Sequence, residues 1–116
     1  MTDAYDNLVG IRLRGDKTGA KWSVRGSHSG CFVPTTDADQ MALVAEGPTD
    51  TAAGLSLGFY CVGRPSCSGG MNDLRNLFRR RGVRRCVIVS DNDPPGLRGS
   101  EMFSRQVGIP NCIVVL

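Results

Sequence analysis

Three acidic residues in this 116-residue chain directly follow apolar runs: Leu43-Val44-Ala45 ends at Glu46, and Cys86-Val87-Ile88-Val89-Ser90 ends at Asp91-Asn92-Asp93. Continuous apolar runs read as parallel strands buried on both faces, and such sheets bind ligands beyond the carboxyl ends of their strands. Side chains at i and i+2 of an extended segment point the same way, so Asp91 and Asp93 project together, and a neighbouring strand end can bring Glu46 near them. Gathered carboxylates repel and raise one another's pKa unless a cation neutralises them. Hard oxygen donors of this kind suit Mg²⁺ or Mn²⁺, which keep several waters and meet a protein through one or two carboxylates plus substrate phosphates. The competing role for a strand-end acid is to cap the next helix. That role fits Asp50, in the first turn after Gly47-Pro48-Thr49, better than Asp91 and Asp93, which Pro94 and Pro95 are expected to separate from the following helix.

The elements that must position these acids follow from apolar spacing. Runs at 43–45, 59–62, 86–89 and 112–115 alternate with segments of helical length, a βαβαβαβ order. The first helix runs from the Gly47-Pro48 turn through Ala52, Ala53, Leu55 and Leu57 to Gly58. The second spans about 72–81, with Leu74, Leu77 and Phe78 facing the sheet. The third is expected after a Pro94-Pro95-Gly96 turn, presenting Met102, Phe103 and Val107. Before this core, Val9 to Arg14 and Lys21 to Val24 alternate around a Gly15-Asp16-Lys17-Thr18-Gly19 turn, which predicts a β-hairpin, and Cys31-Phe32-Val33 reads as a short third strand. Pro34 to Gln40 reads as a linker, dividing an N-terminal extension, 1–40, from a core, 41–116.

Charge divides the same way: 1–40 carries five basic and five acidic residues, whereas 41–116 carries nine Arg against six acids, so the net +3 sits in the core. The five cysteines form no CxxC and read as buried free thiols. The single histidine, His28, weakens any mechanism built on paired imidazoles and reads as a surface residue. No apolar stretch approaches the ~20 residues of a membrane span, and acids stand where a signal peptide would be basic, so a cytoplasmic protein without membrane contact is expected. Trp22, among Arg12, Arg14, Lys21 and Arg25, suits stacking on single-stranded nucleic acid, although packing of the hairpin onto the core is the expected role. Arg64, just beyond the second strand, and Arg98, just beyond the Asp91-Asn92-Asp93 turn, are the candidates for holding phosphate. The run Arg79-Arg80-Arg81-Gly82-Val83-Arg84-Arg85 lies at the opposite ends of the strands and reads as helix-end charge.

Glu46-Gly47-Pro48-Thr49-Asp50 after one strand, followed by Asp91-Asn92-Asp93 after another, resembles the Toprim domain of bacterial primases, type IA and II topoisomerases, certain nucleases and recombination mediators. The resemblance covers about 41–116. More loosely, 19–27 and 31–34 resemble the segment ahead of that core in phage- and plasmid-type primase proteins. It implies a three-layer α/β fold with a mainly parallel four-stranded sheet, preceded here by a small N-terminal β-hairpin. It further implies Glu46 as general acid/base, Asp91 and Asp93 as ligands of Mg²⁺ or Mn²⁺, and Asp50 as a supporting acid. The expected activity is metal-dependent nucleotidyl or phosphoryl transfer in DNA replication, on single-stranded DNA or nucleotides, and dependent on other domains such as a helicase. A Toprim nuclease and a non-catalytic module that binds DNA or a partner remain alternatives. Topoisomerase chemistry is disfavoured because Tyr60 lies in a strand and Tyr5 is the one other tyrosine. A phosphoacceptor domain is disfavoured because no Lys follows Lys21. The apolar end at Cys112 to Leu116 leads to the expectation that the core continues beyond it.

Overall fold

The computed structural model describes residues 1–116. A short antiparallel hairpin, β1 (Arg12–Arg14) and β2 (Lys21–Ser23), precedes the alternating core: β3 (Met41–Glu46), α1 (Gly47–Ser56), β4 (Cys61–Arg64), α2 (Met71–Arg81), β5 (Arg85–Ser90), α3 (Pro94–Gln106) and β6 (Asn111–Val115). The four core strands are parallel in the order β4-β3-β5-β6. The chain steps from β3 outward to β4, then back past β3 to β5 and on to β6. Because such crossovers are right-handed, the reversal puts α1 on one face and α2 and α3 on the other.

The packing agrees. Gly54 of α1 lies so near β4 that a Cβ there would stand 2.7 Å from Cys61 Sγ, and a Cβ at Gly63 would strike Thr51 of the same helix. On the opposite face Leu74, Leu77, Phe78 and Phe103 join Ala42, Val44, Val62 and Ile88 in one core cluster. Strand alternation divides the sheet accordingly, with Ala42 and Val44 under α2 and α3, and Leu43 under α1. The spacing i, i+3, i+4 of Leu74, Leu77 and Phe78 makes one buried stripe on α2, and Gly82, at φ 72°, ends that helix with Arg79, Arg80 and Arg81 in its last turn.

Helix α3 differs from the sequence expectation. It begins at Pro94, not after a Pro-Pro-Gly turn, and its buried stripe is Gly96, Gly99, Ser100 and Phe103, while Met102 is exposed. Proline fits the first helical turn because the N–H it lacks would have no helical partner there. The N-terminal segment is fastened to the core at several points. Phe32 pairs with Gly63 on the outer edge of β4 through hydrogen bonds of 2.9 and 2.8 Å, and Cys31 bridges to Thr2, so 31–33 forms isolated bridges in place of a strand. Arg80 and Arg81 both bind the Asp6 carboxylate, at 2.6 and 2.8 Å, and Arg81 also donates to the Tyr60 hydroxyl. The arginine run therefore clamps the N-terminal segment at the amino ends of the strands. Trp22, expected to pack onto the core, is 50% exposed.

Candidate active site

Glu46 is the last residue of β3 and Asp91 the first after β5, and these strands are adjacent and parallel. The last register pair, Val44 with Ile88, stands two residues before Glu46 and Ser90, so the two acids emerge at the same edge and nearly the same level. The chain after β3 leaves toward α1 on one face, and the chain after β5 leaves toward α3 on the other. This divergence is a topological switch point, where a crevice opens between strand ends. Gly47 makes the departure from β3 possible: its φ of 78° is a left-handed conformation that a residue with a Cβ adopts only at a cost. Ser90, fully buried, donates from its Oγ to the Asp91 carbonyl oxygen at 3.1 Å and so braces the turn after β5.

Asp93 has a local task as well. It is the N-cap of α3, and its Oδ1 accepts the Gly96 N–H at 2.7 Å. The two prolines are the first two residues of the helix, so they do not separate Asp93 from it as expected. Asp91 is exposed and its carboxylate accepts no hydrogen bond from the protein; Glu46 is half-buried and makes no cap to α1. Asp50 lies exposed in the first turn of α1. The switch point thus carries Glu46, Asp91 and the second oxygen of Asp93, yet no group of three His, Cys, Asp or Glu side chains is drawn together closely enough to cage a metal ion. A donor set of one or two carboxylates fits Mg²⁺, which retains waters and takes further oxygens from a phosphate. Asp91 and the free oxygen of Asp93 are the residues that would hold it.

The two basic candidates part company. Arg98 is exposed on α3, two residues beyond Gly96. Arg64 is 1% exposed, so the expectation of a phosphate-binding side chain at the solvent edge gives way to a structural role. Its Nη1 donates to the carbonyl oxygens of Cys67 at 2.8 Å and Gly99 at 3.4 Å, its Nη2 to Ser100 Oγ at 3.4 Å, and its guanidinium stacks 5.2 Å from the centre of the Phe103 ring. Burial pushes its pKa down, opposed chiefly by the negative charge of Glu46. Gly99 and Ser100, which sequence reasoning missed, supply acceptors for this cation from α3, and a Cβ at Gly99 would strike the Cys67 carbonyl oxygen that it also binds; the signal was the run of small residues at helical spacing, Gly96, Gly99 and Ser100, ahead of Phe103. The hairpin adjoins this region, since Arg12 donates to the Pro65 carbonyl oxygen at 2.9 Å.

A solved structure of the DnaG catalytic core aligns with the chain at a TM-score of 0.74 and 18% sequence identity, covering 100% of this chain and 43% of that one. This chain is similar in fold to the DnaG catalytic core. The likeness to DnaG takes in the N-terminal hairpin along with the sheet, whereas the sequence motifs covered 41–116 and, more loosely, 19–27 and 31–34. The chain spans less than half the length of that structure. No family model and no curated protein matches the sequence. No helix is long and apolar enough to cross a membrane.

Proposed function

We propose that this chain is a primase-type Toprim domain that binds Mg²⁺ or Mn²⁺ at Asp91 and Asp93, with Glu46 as general acid/base, for phosphoryl transfer on nucleic acid in DNA replication. The single observation that carries this reading is the position of Glu46 and Asp91 on either side of the switch point, where an α/β sheet binds its ligand. A bound divalent ion would offset the charge of the phosphoryl group being transferred. Glu46, with no capping bond to satisfy, is free to take a proton from an attacking hydroxyl, and Asp91 is free to offer both oxygens. Other domains of a larger protein, a helicase among them, would supply the template path and complete the reaction.

The test is a Mg²⁺ titration followed by amide NMR, with Mn²⁺ as a relaxation probe. Millimolar metal is expected to shift residues 46–50 and 91–96, and Asp91→Ala is expected to abolish the shifts. Absence of any shift in the parent chain sinks the proposal. Primer synthesis against strand cleavage, assayed on the full-length protein, separates primase from nuclease. The alternative reading is a module that binds nucleic acid without turnover. Binding unchanged by EDTA and by Glu46→Gln, with no metal-induced shift, would support it.

A further inference from the structure

The β1–β2 hairpin carries side chains that the catalytic reading does not use. Its register sets Leu13 opposite Trp22 and Arg14 opposite Lys21. Alternation then gives an apolar face of Ile11, Leu13, Trp22 and Val24, which remain 49%, 39%, 50% and 41% exposed, and a basic face of Arg12, Arg14 and Lys21. Exposed contiguous apolar residues mark an interaction surface. Within 11–25 there are five basic residues against Asp16 alone, and none of the five is in an ion pair. Arg14 and Lys21 stand directly across the strands from each other, a like-charge pairing that destabilises a free hairpin and is relieved by an anion.

We infer that this ribbon binds single-stranded nucleic acid, with bases stacked on Trp22 and Leu13 and phosphates held by Arg14, Lys21 and Arg25. An uncharged apolar partner would cover the apolar face but would leave the paired cations unrelieved, whereas a strand of nucleic acid supplies flat bases and regularly spaced phosphates together. The ribbon is narrow, about 5 Å between its strands, so long Lys and Arg side chains reach around it to the sugar-phosphate edge of a strand lying on the apolar face. The Arg12 bond to the Pro65 carbonyl oxygen anchors the ribbon beside the β4–α2 loop, at the carboxyl edge that carries Glu46. The inference rests on the nucleic-acid side of the proposed function but not on its metal chemistry.

Trp22 is the single tryptophan, so its fluorescence reports on this surface directly. The full chain titrated with oligothymidylate or oligouridylate in EDTA at low salt is expected to show saturable quenching. With three phosphates neutralised, log K should fall against log salt with a slope of about −2, and Arg14→Ala should reduce that slope by about 0.7. Trp22→Ala, at an exposed position, is expected to weaken binding of a labelled oligonucleotide about tenfold, with Trp22→Phe recovering part of the loss. Asp91→Ala should leave the quenching intact, so loss of the metal site and loss of the ribbon are read separately. Any of four results overturns the inference: no quenching by the oligonucleotides, unaltered affinity in Trp22→Ala, equal affinity for a duplex, or quenching that follows protein concentration alone and marks self-association.

Discussion

Glu46 and Arg64 are register partners: the last residues of β3 and β4 lie side by side at the carboxyl edge of the sheet, without a direct ion pair. The charge of Glu46 opposes the effect of burial on Arg64, and the guanidinium fills the space between the β4–α2 loop and α3. Its Nε meets no acceptor.

Arg64→Ala is accordingly expected to destabilise the domain by about 2–4 kcal/mol, through carbonyl groups left unpaired and a cavity beside Phe103. Urea denaturation measures it. Glu46→Gln should lower stability too, because the buried cation loses the charge that chiefly opposes the effect of its burial. A loss under ~0.5 kcal/mol for Arg64→Ala would show that solvent replaces those contacts freely.

Asp93 joins a structural and a chemical role, and two substitutions separate them. Asp93→Ala removes the bond to the Gly96 N–H and should cost about 1 kcal/mol, whereas Asp93→Ser restores a cap and should recover most of that. Both remove the charge, so both should weaken the Mg²⁺ response. Thermal unfolding and metal titration of the pair check the two roles independently, and a full Mg²⁺ response in Asp93→Ser would remove Asp93 from the metal site.

Three thiols give a signed dependence on pH. Burial pushes Cys31 and Cys86 up to about 12 and Cys61 to about 11, from an ordinary 9.0. The folded chain therefore keeps protons that the unfolded chain releases. This stability is fully present below pH 9.0 and is lost as pH rises toward 11–12, by about 1 kcal/mol per thiol per pH unit. Denaturation between pH 8 and 10 of the parent and of Cys61→Ala should show a shallower alkaline loss in the variant. Under native conditions a thiol reagent should modify the exposed Cys112 well before Cys31, Cys61 and Cys86.

The strands were legible because parallel strands buried on both faces read as unbroken apolar runs, and α2 because Leu74, Leu77 and Phe78 repeat at helical spacing. The positions of Glu46 and Asp91 at strand ends followed from the same runs. Their adjacency did not, because it depends on the β4-β3-β5-β6 order, which is set by long-range pairing. Asp93 was misjudged because a double proline suits a turn as well as a first helical turn, and the hydrogen bond to Gly96 decides between them. Arg64 looked like a surface residue because charge predicts exposure. Only the acceptors that Gly99 and Ser100 offer on a separate helix show where it goes. Trp22 failed the opposite expectation, since size and apolarity predict burial and nothing local shows that both faces of a two-stranded ribbon stay open.

The two glycines at the α1 contact govern more than packing. Gly54 and Gly63 let α1 sit close against the sheet, with Cys61 packed under Gly54 and Thr51 over Gly63, and the first residue of that helix, Gly47, is joined directly to Glu46. A methyl group at either glycine would lift α1 outward and draw Glu46 with it, while Asp91 and Asp93, tied to α3 on the far face, stayed behind. The thickness of one layer thus sets the span between the carboxylates, and side-chain volume well away from the crevice can retune it without changing any residue inside.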